Sequence, residues 1–205
     1  MPSSDPKLSE ARLWSLIEDR ALAGADHKRI DERIWSLYGE DWALLVTDLA
    51  GFTRQTAAFG IIHFLRVLAE LRQLVLPIVM EHDGVYLRTE GDSLFLAFRR
   101  PERALRCAVD MQRAAKKANE RRSPEEQFLI CVGAGFGRSL RVGDRELWGV
   151  EASAAQLLAQ GTAEAHQILV TKLFRDALGA EVEGVEFLDL ALAVAGSAQN
   201  FRLKY

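Results

Sequence analysis

Cysteine is scarce in this sequence: Cys107 and Cys131 are the only two in 205 residues. Both fall in apolar, periodic segments and neither has a partner at metal-ligand spacing. Reduced, buried thiols are therefore expected, not a disulfide framework. Long hydrophobic runs are missing as well. No stretch approaches the roughly 18 uninterrupted apolar residues that a membrane span needs, and the polar start MPSSDPKLSE has no apolar centre of the kind a signal peptide carries. The expected location is cytoplasmic, with no membrane partner. An excess of positive charge is absent too. The formal net charge of −3 argues against a protein built for nonspecific nucleic-acid binding. His27, His63, His82 and His166 show no ligand spacing, and the chain contains no Gly-x-Ser-x-Gly elbow, no Ser-His-Asp order and no Walker loop. Internal repeats and low-complexity tracts are also absent.

What remains is an ordinary globular composition, 49% hydrophobic and 27% charged, with enough apolar content for one domain of moderate size. Residues 7–40 read as a helical lead-in. Leu13, Trp14, Leu16 and Ile17, then Ile30, Ile34, Trp35 and Leu37, recur at helical spacing, with Gly24 between two helices and Gly39 at the end of the second. Residues 43–48 read as a strand. A single helix is expected from Thr53 to His82, burying Ile61, Ile62, Leu65, Leu68, Leu71, Leu74 and Val75, with Pro77 as a kink. GVYLRTEGDSLFLAF reads as a hairpin around Glu90-Gly91, and a helix follows from Pro101 to about Arg121. FLICVGAGFG (Phe128–Gly137) reads as a core strand whose glycines admit close backbone approach, and RSLRVG as a further strand across a turn. A short helix, the strand QILVT, another helix and two strands at 186–194 and 199–203 complete the chain. The order after the lead-in is β-α-β-β-α-β with additions, which predicts an α+β, ferredoxin-like or palm-type antiparallel sheet with helices.

Two carboxylates stand out. Asp48 ends the strand in LLVTDLAGFT, and Asp92 follows the tight Glu90-Gly91 turn. Each alone is equally well explained as a turn or capping residue. In a β-α-β-β unit, however, the first strand and the hairpin are neighbours, so the two carboxylates meet at one edge. Hard oxygen ligands there suit Mg²⁺ or Mn²⁺ carrying a nucleoside triphosphate. Ala50 and Gly51 would let backbone N–H groups approach phosphate oxygens, and the helix after Phe52 would point its N-terminus at them.

With these residues in view, the sequence resembles the class III adenylate/guanylate cyclase catalytic domain. VTDLAGFT looks like that family's first metal motif, and GVYLRTEGDSLFLAF looks like its second. CVGAGFG resembles its central strand, and LWGVEASAAQLLAQGTAEAHQILVT aligns with the segment that carries its Asn and Arg. The resemblance runs from about Ala43 to Thr171 and more weakly to the C-terminus. It implies a palm-like sheet at 41–205 that works as a head-to-tail dimer, making a 3′,5′-cyclic nucleotide and pyrophosphate from ATP or GTP. The lead-in at 1–40, with Trp14, Ile17, Ile34 and Trp35 on helices too short to be stable unpacked, is expected to lie either on its own main domain or on another copy of the chain, where it would serve dimerisation. The implied metal ligands are Asp48, Asp92 and the Leu49 carbonyl. The implied nucleotide contacts are Ala50, Gly51, Phe52 and Thr53, with Arg88 and Glu146 at the base-reading positions. Arg88 stands where the family has Lys, and the two are not equivalent at a contact of fixed reach.

The departures fall at the transition-state positions. The family's Asn aligns with Ser153, its Arg with Leu157, and its C-terminal Lys with Ala195. Leucine neither donates a hydrogen bond nor neutralises charge. The expectation is therefore a cyclase-like signalling protein that binds metal and nucleotide, with weak or absent activity as a homodimer. Two alternatives stay open: an active adenylate or guanylate cyclase, and a subunit that lends its metal site to a complete cyclase chain in a heterodimer. A diguanylate-cyclase palm is a more distant rival, since EGDSL only faintly echoes the signature of that family.

Overall fold

The computed structural model describes residues 6–179 and 184–205, so the first half of the polar start lies outside the described residues. The lead-in forms α1 (Pro6–Ala21) and α2 (His27–Tyr38). Gly24 takes the left-handed turn between them at φ 79°, and Asp26 caps α2 by accepting from the Arg29 N–H at 3.1 Å. Leu13 and Leu16 pack against Ile34, Tyr38 and Val142. Trp14, Ile17 and Trp35 stay on the surface, where Trp14 meets the Trp148 ring edge-on at 5.7 Å.

The chain then runs through β1 (Gly39–Leu49), α3 (Phe52–Phe59), α4 (Ile61–Glu81), β2 (Val85–Glu90), β3 (Ser93–Phe98) and α5 (Pro101–Asn119). It continues through β4 (Ile130–Val142), β5 (Glu146–Trp148), α6 (Val150–Gly161), β6 (Ile168–Thr171), α7 (Lys172–Ala177), β7 (Glu186–Asp189) and β8 (Asn200–Lys204). Among the described residues the sheet order is β2-β3-β1-β4-β6-β8-β7, with β5 paired to β4. Its first four strands stand in the ferredoxin-like order, as expected. All pairings are antiparallel except β4 with β6.

Three expectations need correction. The helix foreseen from Thr53 to His82 is two helices, because Gly60 adopts φ 84° and closes α3 by donating to the Thr56 carbonyl at 2.9 Å. The break resets which side of α4 faces inward. Phe64, Val67, Leu68, Leu71, Val75 and Val79 are buried, whereas Ile61, Ile62 and Leu65 are exposed, Ile62 by 76%. Phe64 anchors the new phase by meeting Phe52 edge-on at 4.4 Å. Second, FLICVGAGFG and RSLRVG form one strand, since β1 starts at Gly39 and pairs with β4 without interruption from Gly39↔Leu140 to Leu49↔Ile130. Third, β7 ends at Asp189, short of residue 194.

The sheet separates two apolar layers. Leu45, Leu94, Leu96, Phe98 and Val132 face α4 and α5. Leu44, Val46, Phe95 and Ala97 face Ala152, Ala155 and Ala159 of α6. The glycines of β4 explain how α6 comes so close. A Cβ on Gly133 would lie 2.0 Å from the Ala155 carbonyl oxygen, and one on Gly135 would lie 2.3 Å from that of Glu151. Any side chain there would push α6 off the sheet.

Candidate metal and nucleotide site

Strand alternation places Asp48 on the α6 side of β1, in line with Leu44 and Val46. Its neighbours are set by the ladder: Thr47 pairs with Leu94 of β3, and Asp48 pairs with Cys131 of β4. The β2–β3 turn, where Gly91 adopts φ 59°, carries Asp92 to the same edge. Asp48 and Asp92 line one cavity of about 570 Å³, together with Leu49, Ala50, Gly51, Phe52 and Thr53. All the residues expected to hold metal and phosphate thus share one wall.

Burial pushes the Asp48 carboxyl above the ordinary carboxylate value. The Ser93 hydroxyl, donating to Oδ1 at 2.8 Å, pulls it back, and the charge of Asp92 adds to the rise. Burial raises Asp92 as well, opposed by backbone N–H groups including that of Leu49. Neither carboxylate is ion-paired among the described residues. Two half-buried acids that resist ionisation and line one cavity, neither of them paired with the Arg54 guanidinium that also lines it, are a donor set that suits a divalent cation. No cluster of three or more His, Cys, Asp or Glu forms among the described residues. Further ligands would have to be backbone carbonyls such as that of Leu49, water and substrate phosphates, which is how Mg²⁺ is commonly held.

The raised values carry a stability prediction. An acid whose pKa is higher in the folded state than in the unfolded chain weakens the fold as pH rises from about 3.9 through the folded value. Asp48→Asn or Asp92→Asn should therefore raise the melting temperature of the metal-free protein at pH 7, by on the order of a few degrees. The gain should vanish at a pH below the ordinary carboxylate value, where the wild-type acids are already neutral. Melting curves at the two pH values check this, and an equal gain at both would assign the effect to something other than ionisation.

Around the carboxylates, the N-terminus of α3 completes the wall. Gly51 sits at φ 88°, and no side chain caps the helix. The Ala50 N–H does not face the cavity as a free donor, because it already donates to the Leu129 carbonyl at 2.9 Å. The expected phosphate contact at Ala50 thus reduces to wall space, and the first-turn N–H groups of α3 remain as the candidate donors. Sequence reasoning missed Ser93, Arg54, Gln160 and Cys131, which also reach this site. Strand alternation could have found Ser93, which shares a face with Phe95 and Ala97. Nothing in the local sequence marks Gln160. Burial pushes the Cys131 thiol up to about 12, so it stays protonated at neutral pH.

Arg88 and Glu146 are brought together away from this cavity. Arg88 Nη1 lies 3.3 Å from Glu146 Oε2, and its guanidinium stands 4.0 Å above the Phe95 ring. Arg88 also contacts Glu90 at 3.4 Å and donates to the Arg145 carbonyl at 3.3 Å. Ser153 and Leu157 lie one turn apart on the outward side of α6. Ser153 Oγ donates to the Gly149 carbonyl at 3.2 Å, and Leu157 is 43% exposed. Neither lines the cavity of its own chain.

No protein-family profile matches the chain. The serine/threonine-protein kinase pkn2 of Myxococcus xanthus is 31% identical over 99 residues, which is 47% of this chain but 12% of that kinase. Among solved structures, an adenylate/guanylate cyclase/hydrolase from Silicibacter pomeroyi matches with TM-score 0.66 and 23% identity, over 80% of this chain and 95% of its own. The adenylyl cyclase CyaB of P. aeruginosa matches with TM-score 0.68 and 17% identity, over 82% and 95%. The guanylate cyclase domain of RhGC from Catenaria anguillulae, solved in complex with GTP, matches with TM-score 0.67 and 16% identity, over 80% and 96%. The chain has the fold of the class III adenylate/guanylate cyclase catalytic domains. Among the described residues no helix is long and apolar enough to cross a membrane.

Proposed function

We propose that this chain is a cyclase-like signalling protein that binds a nucleoside triphosphate together with Mg²⁺ or Mn²⁺ and, as a homodimer, turns it over weakly or not at all. The observation that carries this reading is the contrast between two surfaces. The Asp48/Asp92 cavity is intact, whereas the outward side of α6 has Ser153 and Leu157 at the two aligned transition-state positions and, with Gln156 and Gln160 beside them, carries no cation. In the expected head-to-tail dimer, that side of α6 would face the partner's cavity.

Asp48, Asp92 and the Leu49 carbonyl would hold the cation, which when bound would offset phosphate charge and favour ionisation of the attacking hydroxyl. The N–H groups opening α3 would receive phosphate oxygens, and Arg54 adds a cation on the same wall. Arg88 and Glu146 would read the base, the guanidinium donating to purine acceptors and the carboxylate accepting from an exocyclic amine. Their mutual ion pair would have to open towards the nucleotide. A partner role in a heterodimer is the second reading, favoured because the metal set is present and the α6 set is not.

Competition between ATP and GTP for the Mn²⁺-loaded protein tests the base contacts. Glu146→Lys places a second positive charge beside Arg88 and should shift the preference between the two nucleotides. Identical competition curves for wild type and variant would reduce the pair to a surface salt bridge, which is worth little.

A further inference from the structure

Ser93 is almost wholly buried where β3 begins, yet its hydroxyl is engaged twice. It donates to Asp48 Oδ1 at 2.8 Å and accepts from Gln160 Nε2 at 2.9 Å. Gln160 belongs to the last turn of α6 and lines the Asp48/Asp92 cavity. Its own amide oxygen accepts from Gln156 Nε2 at 3.1 Å, which fixes the orientation of the amide and turns its NH₂ towards Ser93. A serine hydroxyl has one proton. With the Gln160 amide donating to the oxygen, that proton is committed to Asp48.

The consequence for Asp48 is directional. Oδ1 is capped by the hydroxyl, so the carboxylate cannot rotate freely, and Oδ2 is the oxygen left without this partner. Chains of hydrogen bonds pointing one way reinforce each other in a poorly solvated site. A carboxylate held in this way offers an incoming cation one oxygen in a fixed position, which saves the cost of ordering it on binding.

We propose that Ser93 and Gln160 are positioning residues for the divalent-cation site, acting in series through Asp48. The proposal rests on the reading of Asp48 and Asp92 as cation ligands. It adds that α6, the helix that carries Ser153 and Leu157 outwards, is wired at its other end to the carboxylate of its own chain. Sequence-wise distant elements thereby share one function: the end of β1, the start of β3 and the last turn of α6.

Titration of the full chain with Mn²⁺ alone, followed by the electron paramagnetic resonance of the free ion, tests this. Ser93→Ala should weaken Mn²⁺ binding by about tenfold, the usual scale for losing a partner that orients a ligand. Gln160→Ala should weaken it by a smaller factor. Because Gln160 acts through Ser93, the double variant should bind no more weakly than Ser93→Ala alone. Losses that multiply in the double variant would overturn the series arrangement. Unchanged affinity in both single variants, with binding still abolished by Asp48→Ala, would overturn the proposal and leave the cation site standing. Insensitivity of Mn²⁺ binding to Asp48→Ala would overturn both. A lowered melting temperature with unmoved Mn²⁺ affinity would mark the contacts as stitching between α6 and β3 only. Gln160 is exposed, so its variant leaves the core untouched and keeps the test decisive even if Ser93→Ala fails to fold.

Discussion

Combining Ser153→Asn with Leu157→Arg should raise cyclase activity of the purified chain by about two to three orders of magnitude, the scale associated with one donor preorganised for developing charge. As the transferred phosphorus gains its fifth neighbour, negative charge grows on the phosphate oxygens. In the proposed dimer, Leu157 would leave that charge to the metal site and the backbone. The geometry of α6 favours recovery. Both positions lie outward and one turn apart, and the 43% exposure of Leu157 leaves room for a guanidinium without burying it. Ser153 is now turned back on the Gly149 carbonyl, so it offers no donor outward. The two gains need not add, since groups that act together on one transition state are grossly non-additive. Mixing the wild type with a chain that carries both replacements plus Asp48→Ala should assemble one complete site per heterodimer. Chromatographic detection of cyclic product checks each case. Robust turnover by the unmodified chain, insensitive to changes at both positions, would refute the assigned roles.

Asp48→Ala or Asp92→Ala should abolish Mn²⁺-dependent nucleotide binding while leaving the fold intact. Among the described residues the two carboxylates are the anionic side chains lining the cavity, and each would offset part of the ion's charge and lost hydration. One alone holds a divalent ion poorly. The fold should survive because both groups are held at a cost, with burial raising the pKa of each. Titration calorimetry on the wild type and both variants, alongside melting curves, separates loss of binding from loss of structure. Unchanged affinity in both variants would remove the metal site from the account.

The meeting of Asp48 and Asp92 was legible in the sequence because it follows from topology. A β-α-β-β unit brings the first strand next to the hairpin, and a carboxylate at the end of each is then near the other. The glycines at 133 and 135 were legible for a similar reason: a core strand without side chains implies something close above it. The inward side of α4 was not legible. Ile61, Ile62 and Leu65 fit a helical stripe as well as Phe64, Val67 and Leu71 do, and only the left-handed backbone at Gly60 decides between the two phases. Arg138 to Val142 was legible as a strand, but its continuity with the strand before it, with no turn between, was not. That segment is a strand because β1 and β5 pair with it on either side. Gln160 reaches Ser93 across a sequence separation of 67 residues, a contact made by the docking of α6 and by nothing in the neighbouring residues.

The most direct test of the account is a paired measurement on the purified, unmodified chain. ATP and GTP are each supplied with Mn²⁺, bound nucleotide is measured by equilibrium dialysis, and cyclic product is measured from the same samples. The account predicts metal-dependent binding of at least one nucleotide, with product at or below the limit of detection. Failure to bind either nucleotide in the presence of Mn²⁺, or rapid conversion of one of them to its cyclic form, would contradict it.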